Sequence, residues 1–254
     1  MRNFMKSRNP MFNNDNSKVD VRAVAQKRGG GSPIIDETTS MTVSGAVNKT
    51  LMLGCILMIT TIFSYMFPNK MMMYAGMLGG AAVYMFTSFK PHLAPITAPL
   101  YALLKGLLVG TMSYIYAAKF GGIIFQAASL TIATLLAMLM IYKSGLIKVT
   151  KKFRMGVTMA VGAIMIVYLI SFIGSFAGFN VPYIHDSSPI GIAITVVIIG
   201  VAAMNLLLDF DNFDRGEQNA SPKYMEWYYG MGLLFTLVWL YIEFLRLLSK
   251  IQSD

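Results

Sequence analysis

Residues 189–210 read PIGIAITVVIIGVAAMNLLLDF, and the first charged side chain in this stretch is Asp209. A transmembrane helix needs about 20 predominantly apolar residues, so the stretch is long enough to cross a bilayer. The whole chain of 254 residues agrees with this, because 56% of it is hydrophobic, 13% is charged, and its mean hydropathy is +0.58. This composition is too apolar for an ordinary soluble domain. The sequence therefore predicts an integral membrane protein.

Six further apolar segments can be marked outward from residues 189–210, separated by Pro, Asn, Gly and Lys residues. The seven predicted segments are Val47–Phe67, Met71–Phe89, Thr97–Ala118, Gly121–Tyr142, Met155–Phe179, Pro189–Phe210 and Pro222–Leu248. Because the connections are short, consecutive helices should be antiparallel neighbours in a bundle. The predicted fold is an all-α membrane protein, with seven transmembrane helices over residues 46–250. A count of six, with the last segment re-entrant or interfacial, is the alternative.

The charge distribution predicts how the protein is oriented. Residues 1–45 are polar and rich in Asn, Ser and Gly, which predicts a disordered tail. Because there is no apolar stretch near Met1, a cleavable signal peptide is not expected. Lys and Arg concentrate on the side shared by this tail and the second, fourth and sixth loops, so we expect the N-terminus in the cytoplasm. The net charge of +9 then indicates contact with anionic membrane lipids rather than nucleic acid.

Carboxylates are confined to the two ends of the chain. No Asp or Glu stands between Glu37 and Asp186, so the first five predicted helices carry none. At membrane level, Asp209 ends the sixth segment and Glu226 lies one turn into the seventh, where the two can meet at one depth. Such a pair would share a proton and form a pH-dependent latch. Alternatively, Asp209 and Asp211 begin a solvated acidic loop, and Glu226 favours the N-terminus of its own helix, which starts at Ser221 and Pro222.

Two basic residues lie near these carboxylates or on the last helix. Lys105, in the third segment, should share the depth of the pair, either as its counter-ion or as a lysine whose stem reaches the interface. Glu243 is followed three residues later by Arg246, which predicts a local ion pair.

Enzymatic and metal chemistry have little support in the sequence. The two histidines, His92 and His185, fall in loops on opposite sides of the predicted membrane, so they provide no shared base or ligand set. We therefore predict no enzymatic activity, no metal site and no cofactor. The 21 methionines and Cys55 are interpreted as packing residues.

Several stretches resemble the bacterial branch of the Bax inhibitor family, also called the transmembrane Bax inhibitor motif family. They are APLYALLKG (98–106), IKVTKKFR (147–154), LDFD (208–211), PKYMEWY (222–228) and WLYIEFLRLL (239–248). The resemblance implies a seven-helix bundle in the bacterial cytoplasmic (plasma) membrane, with the last helix central. It also implies a pH-sensitive calcium leak controlled by two aspartates on the sixth and seventh helices.

By position, those aspartates correspond to Asp209, with Asp211 as an alternative, and to Glu226, with Glu243 as a rival match. The family pattern has a glutamate where Lys105 stands, and this charge reversal argues against cation conduction. Two functions are therefore predicted. The first is a leak for calcium ions or protons gated by the carboxylate pair. The second is a non-conducting regulator that binds a membrane protein, such as a quality-control protease. A secondary transporter ranks third, because no inverted repeat is visible.

Overall fold

The structure is a computed structural model that describes residues 40–176 and 187–253, with residues 175 and 176 described by their backbone alone. Residues 1–39 of the predicted tail and His185 lie outside this part. Helices dominate the described residues, which confirms the all-α prediction. They are α1 (Val43–Met66), α2 (Lys70–Tyr74), a π-helix (Ala75–Gly79), α3 (Gly80–Phe89), a 3-10 helix (Pro91–Leu93), α4 (Ala94–Ala117), α5 (Ile123–Ser144), α6 (Lys151–Phe176), α7 (Pro189–Gln218) and α8 (Met225–Ile251).

Six stretches of the described chain are long and apolar enough to cross a membrane, as expected for a multi-pass membrane protein. They are Val43–Met66, Pro91–Ala117, Ile123–Ser144, Lys151–Gly174, Pro189–Gln218 and Met225–Ile251. The second predicted segment is not among them because its helix is divided. The π-helix separates α2 from α3, so each piece is shorter than a span. Local π-helical turns of this kind interrupt otherwise regular helices.

Helix α4 packs closely along α1 and runs parallel to it. At Gly106 an added Cβ would overlap Thr60, and at Gly110 it would overlap the backbone of Thr61. The residue numbers of the contacting positions increase in the same direction along both helices, so α1 and α4 run parallel. Small residues at such positions let two helix backbones approach in a membrane protein.

The chain between α1 and α4 runs in the opposite direction. Gly76 meets the backbone of Leu104 and Leu108, whereas the Thr87 hydroxyl donates to Thr97 Oγ1 over 2.8 Å. Residue numbers therefore fall along α4 as they rise along α2 and α3. This reversal is what allows α1 and α4 to be parallel.

The ends of the last two long helices differ from the prediction. Helix α7 does not stop at Phe210 but continues to Gln218, and the left-handed backbone of Ala220 (φ 46°) follows it. The alternative in which Asp209 and Asp211 begin a solvated loop is therefore wrong. Helix α8 starts after a short turn and packs against α1, α4, α5 and α7.

Candidate functional site

Asp209 lies on α7 at its contact with α8, and only 8% of the residue is exposed. Its Oδ2 accepts a 2.6 Å hydrogen bond from the Thr236 hydroxyl and a 3.5 Å one from Asn205 Nδ2. Asn205 also donates to Thr236 Oγ1 over 2.8 Å, which closes a three-residue polar network. Among the described residues, no cationic group forms an ion pair with Asp209. Its hydrogen bonds thus come from neutral groups, whereas Arg154 of α6 attracts the carboxylate without forming an ion pair with it.

The second oxygen of this carboxylate faces Gly232 of α8. A Cβ added at Gly232 would lie 3.9 Å from Asp209 Oδ1 and would meet no other atom of a neighbouring element within 4 Å. Both hydrogen bonds described above go to Oδ2. Gly232 therefore leaves room for a small group beside Oδ1.

Aromatic side chains of α3, α4 and α8 pack next to this network. The Tyr84 ring stacks on Phe235, with 5.0 Å between centroids, and lies 5.8 Å from the Tyr101 ring. Tyr101 is fully buried, and its hydroxyl has no hydrogen-bond partner in the part of the chain that the structure describes. Polar and aromatic groups thus occur together where α3, α4 and α8 meet near Asp209.

Lys105, the predicted counter-ion, contacts this aromatic group. Its Nζ lies 5.7 Å from the centroid of the Tyr101 ring, and its stem rests on Gly80. No carboxylate in the described ranges is within ion-pairing distance of Lys105. The structure therefore brings Lys105 to Tyr101 and not to a carboxylate pair.

Glu226 has a different environment at the start of α8. It is 2% exposed, and its Oε1 accepts bonds from the Thr42 backbone N–H (3.1 Å) and hydroxyl (3.5 Å). Gly45 permits this approach, because a Cβ there would overlap the Glu226 carboxylate. The first N–H groups of a helix lack partners within the helix and form the positive end of its dipole. Glu226 therefore binds the N-terminus of α1.

The predicted pairing of Asp209 with Glu226 is wrong in this structure. Asp209 is bonded to Thr236, and Thr236 follows Glu226 on α8 by an axial distance of about 15 Å at 1.5 Å per residue. The prediction ended the sixth helix at Phe210 and so placed both carboxylates at one depth. Because α7 continues beyond Phe210, Asp209 lies deeper than Glu226.

Asp211, the predicted alternative to Asp209, belongs to a charged group between α6 and α7. It forms ion pairs with Arg154 of α6 and with Arg215, the latter at 2.5 Å. Arg154 also donates to Asn212 Oδ1 over 2.7 Å. Residues two apart on a helix do not share a face, so Asp211 turns away from the network of Asp209.

The predicted ion pair of the last helix is confirmed. Arg246 Nη1 lies 3.1 Å from Glu243 Oε1, and the Tyr168 hydroxyl of α6 donates to the same oxygen over 2.7 Å. Glu243 is 1% exposed. The Glu243–Arg246–Tyr168 group therefore links α8 to α6.

Among the residues described, no three His, Cys, Asp or Glu side chains form a cluster that could hold a metal ion.

Sequence reasoning missed Asn205 and Thr236. Asn205 stands four residues before Asp209 in an apolar helix, a spacing that puts both on one face, and this signal could have identified it. Thr236 carries no comparable signal, because threonine is common in membrane helices and its contact depends on how α7 and α8 pack. The sequence therefore indicates Asn205 as a partner of Asp209 but not Thr236.

Comparison with known proteins gives one finding. A family model described as Bax inhibitor 1 like matches residues 9–253. No curated protein and no solved structure matches the chain. The family match extends over all the described helices and confirms the resemblance to the Bax inhibitor family. The chain therefore belongs to the Bax inhibitor 1 like family.

Proposed function

We propose that this protein is a pH-sensitive cation leak of the bacterial plasma membrane, with calcium as a permeant ion and Asp209 as the gate. One observation carries the proposal: Asp209 is buried within a membrane-spanning helix and is contacted by the neutral groups of Thr236 and Asn205. A buried carboxylate without a cationic partner is unfavourable when ionised. A proton or a passing cation supplies the missing positive charge.

The proposed gate uses one carboxylate where the sequence suggested a pair. Both neutral donors reach Oδ2, so Oδ1, on the side of Gly232, remains for a proton or a cation. Protonation removes the negative charge that attracts the cation. Flux should therefore rise with pH, and the mechanism requires neither an enzymatic step nor a cofactor.

Calcium flux into liposomes that contain the purified protein tests this proposal. We expect wild-type flux to increase from pH 6 to pH 8 and Asp209→Asn to lose this dependence. Glu226→Gln is the matched control, because glutamine keeps an acceptor oxygen for Thr42, and it should retain the wild-type profile. Absence of flux at every pH, or an unchanged profile in Asp209→Asn, would contradict the proposal.

We also propose seven membrane crossings, with the last helix central and the N-terminus in the cytoplasm. The parallel direction of α1 and α4 supports this, because residues 70–89 must then cross back between them. The packing of α8 against four helices supports its central place. The excess of Lys and Arg in alternate loops supports the orientation.

A non-conducting regulator is the second candidate, and Lys105 favours it. A lysine at membrane level without a carboxylate partner among the described residues would repel a permeant cation. In that case the protein would act by binding another membrane protein, such as a quality-control protease, through its tail and loops. Flux from Lys105→Gln and none from the wild type would support a blocked pathway. Failure of both to conduct, with binding of a purified membrane protease, would favour the regulator.

A further inference from the structure

We propose that Glu217 and Glu226 are positioning residues that hold the start of α1 across the ends of α7 and α8 and thereby fix the spacing of these two helices at Asp209. The effect on flux rests on the proposed function. The structural effect does not, and it can be measured separately.

The two glutamates accept hydrogen bonds from consecutive backbone N–H groups. Glu226 Oε1 accepts from Thr42, and Glu217 Oε1 accepts from Val43 over 3.0 Å. The first N–H groups of a helix lack acceptors within the helix, so side-chain oxygens at these positions satisfy donors that would otherwise be unpaired. One carboxylate belongs to α7 and the other to α8, so a single short segment is bonded to both helices.

We call residues 40–43 the clasp. Three contacts besides the two glutamate hydrogen bonds attach the clasp to its surroundings. Met41 is 1% exposed, and its side chain occupies the space that a Cβ on Gly216 would need. The Met41 N–H donates to the Ser221 carbonyl over 2.8 Å. Ser40 forms an antiparallel bridge with Pro222. The clasp therefore contacts α7, the turn after it, and α8.

The clasp and the network of Asp209 lie between the same two helices. Asp209 and Glu217 are both on α7, whereas Thr236 and Glu226 are both on α8. The clasp ties the helix ends together, and the Asp209–Thr236 hydrogen bond joins the helices deeper in the bundle. Releasing the clasp should let the ends separate and weaken that bond.

A cysteine placed beside Asp209 can report such separation. In a Cys55→Ser background, Gly232→Cys introduces a thiol at the position whose Cβ would face Asp209 Oδ1. The readout is the rate at which residue 232 itself reacts with a small water-soluble thiol reagent, followed by mass spectrometry of the peptide that contains it. We expect Glu226→Ala to raise this rate about tenfold. This corresponds to a decrease of about 1.4 kcal/mol in the free energy of the opening that exposes residue 232. Glu226→Gln keeps an acceptor for Thr42 and should leave the rate near that of wild type.

A disulfide should restore the clasp without the glutamate. Pro222 has no N–H, so Ser40 and Pro222 form a non-hydrogen-bonded pair, whose Cα atoms lie about 4.5 Å apart. That separation is compatible with a disulfide. When Ser40→Cys and Pro222→Cys are added to Glu226→Ala and oxidised, the slow labelling rate should return. Reduction, followed by removal of the reductant, should raise it again.

Three results would overturn the proposal: an unchanged rate in Glu226→Ala, equal rates in the Ala and Gln variants, or no rescue by the oxidised disulfide. If Glu226→Ala does not fold, Glu217→Ala gives the same test, because its bond to Val43 is exposed and its loss is milder. Clasp-dependent labelling of a protein that conducts nothing would reject the leak and retain the clasp.

Discussion

Thr236 makes the shorter of the two hydrogen bonds to Asp209, so stability should depend on its hydroxyl. Thr236→Val keeps the shape of the side chain but removes the donor to Asp209 and the acceptor for Asn205. We expect the free energy of unfolding to fall by about 1–3 kcal/mol, the usual effect of leaving a buried polar group unsatisfied. Thermal unfolding in detergent measures this. Thr236→Ser keeps the hydroxyl and is the control; equal melting temperatures for the two variants would refute the prediction.

Gly45 is a second position where one atom should matter. A Cβ there would overlap the Glu226 carboxylate, whereas a Cβ at Gly54 on the same helix meets nothing within 4 Å. Gly45→Ala should therefore lower the melting temperature, because Glu226 must move away from Thr42. Gly54→Ala should leave it unchanged or raise it slightly, since alanine favours a helix over glycine. If both variants melt alike, Glu226 does not contribute to stability through this contact.

Asp209 was predictable as a site residue, but its partner was not. An ionisable residue in an otherwise apolar run is visible in any sequence, and this run had only one. Its contact with Thr236 depends on the register of α7 against α8, which no local pattern encodes. The same holds for Glu226, whose partner Thr42 is distant in sequence and donates through its backbone.

At the scale of the helix, the length of α7 explains why the predicted pair failed. Asp211, Asp214 and Arg215 look like a polar loop when local composition is considered alone. In the structure they remain helical because α5 and α6 provide partners: Tyr142 donates to Asp214 over 2.6 Å, and Arg154 pairs with Asp211. Tertiary contacts thus override the local preference, and the added turns move Asp209 away from Glu226.

The extension of α7 should loosen when Asp211 is neutralised. Asp211→Asn would leave Arg154 and Arg215 without their shared carboxylate, so we expect faster amide hydrogen exchange over residues 211–218. Arg154→Gln alone should have a smaller effect, because Arg215 still pairs with Asp211. Residues in one ion-pair network do not act independently, so adding Arg154→Gln to Asp211→Asn should change little. Additive effects would show that the pairing does not hold the extension.

At the scale of the whole molecule, the crossing number depends on residues 70–89. Asn69 and His92 are exposed residues just outside the two ends of this stretch. If the stretch returns between the parallel helices α1 and α4, these two positions must lie on opposite sides of the membrane. In a Cys55→Ser background, a membrane-impermeant thiol reagent applied to intact cells should label Asn69→Cys. It should label His92→Cys only after the cells are permeabilised. Labelling of both in intact cells would place the two positions on one side of the membrane, and it would refute seven crossings with α1 and α4 parallel.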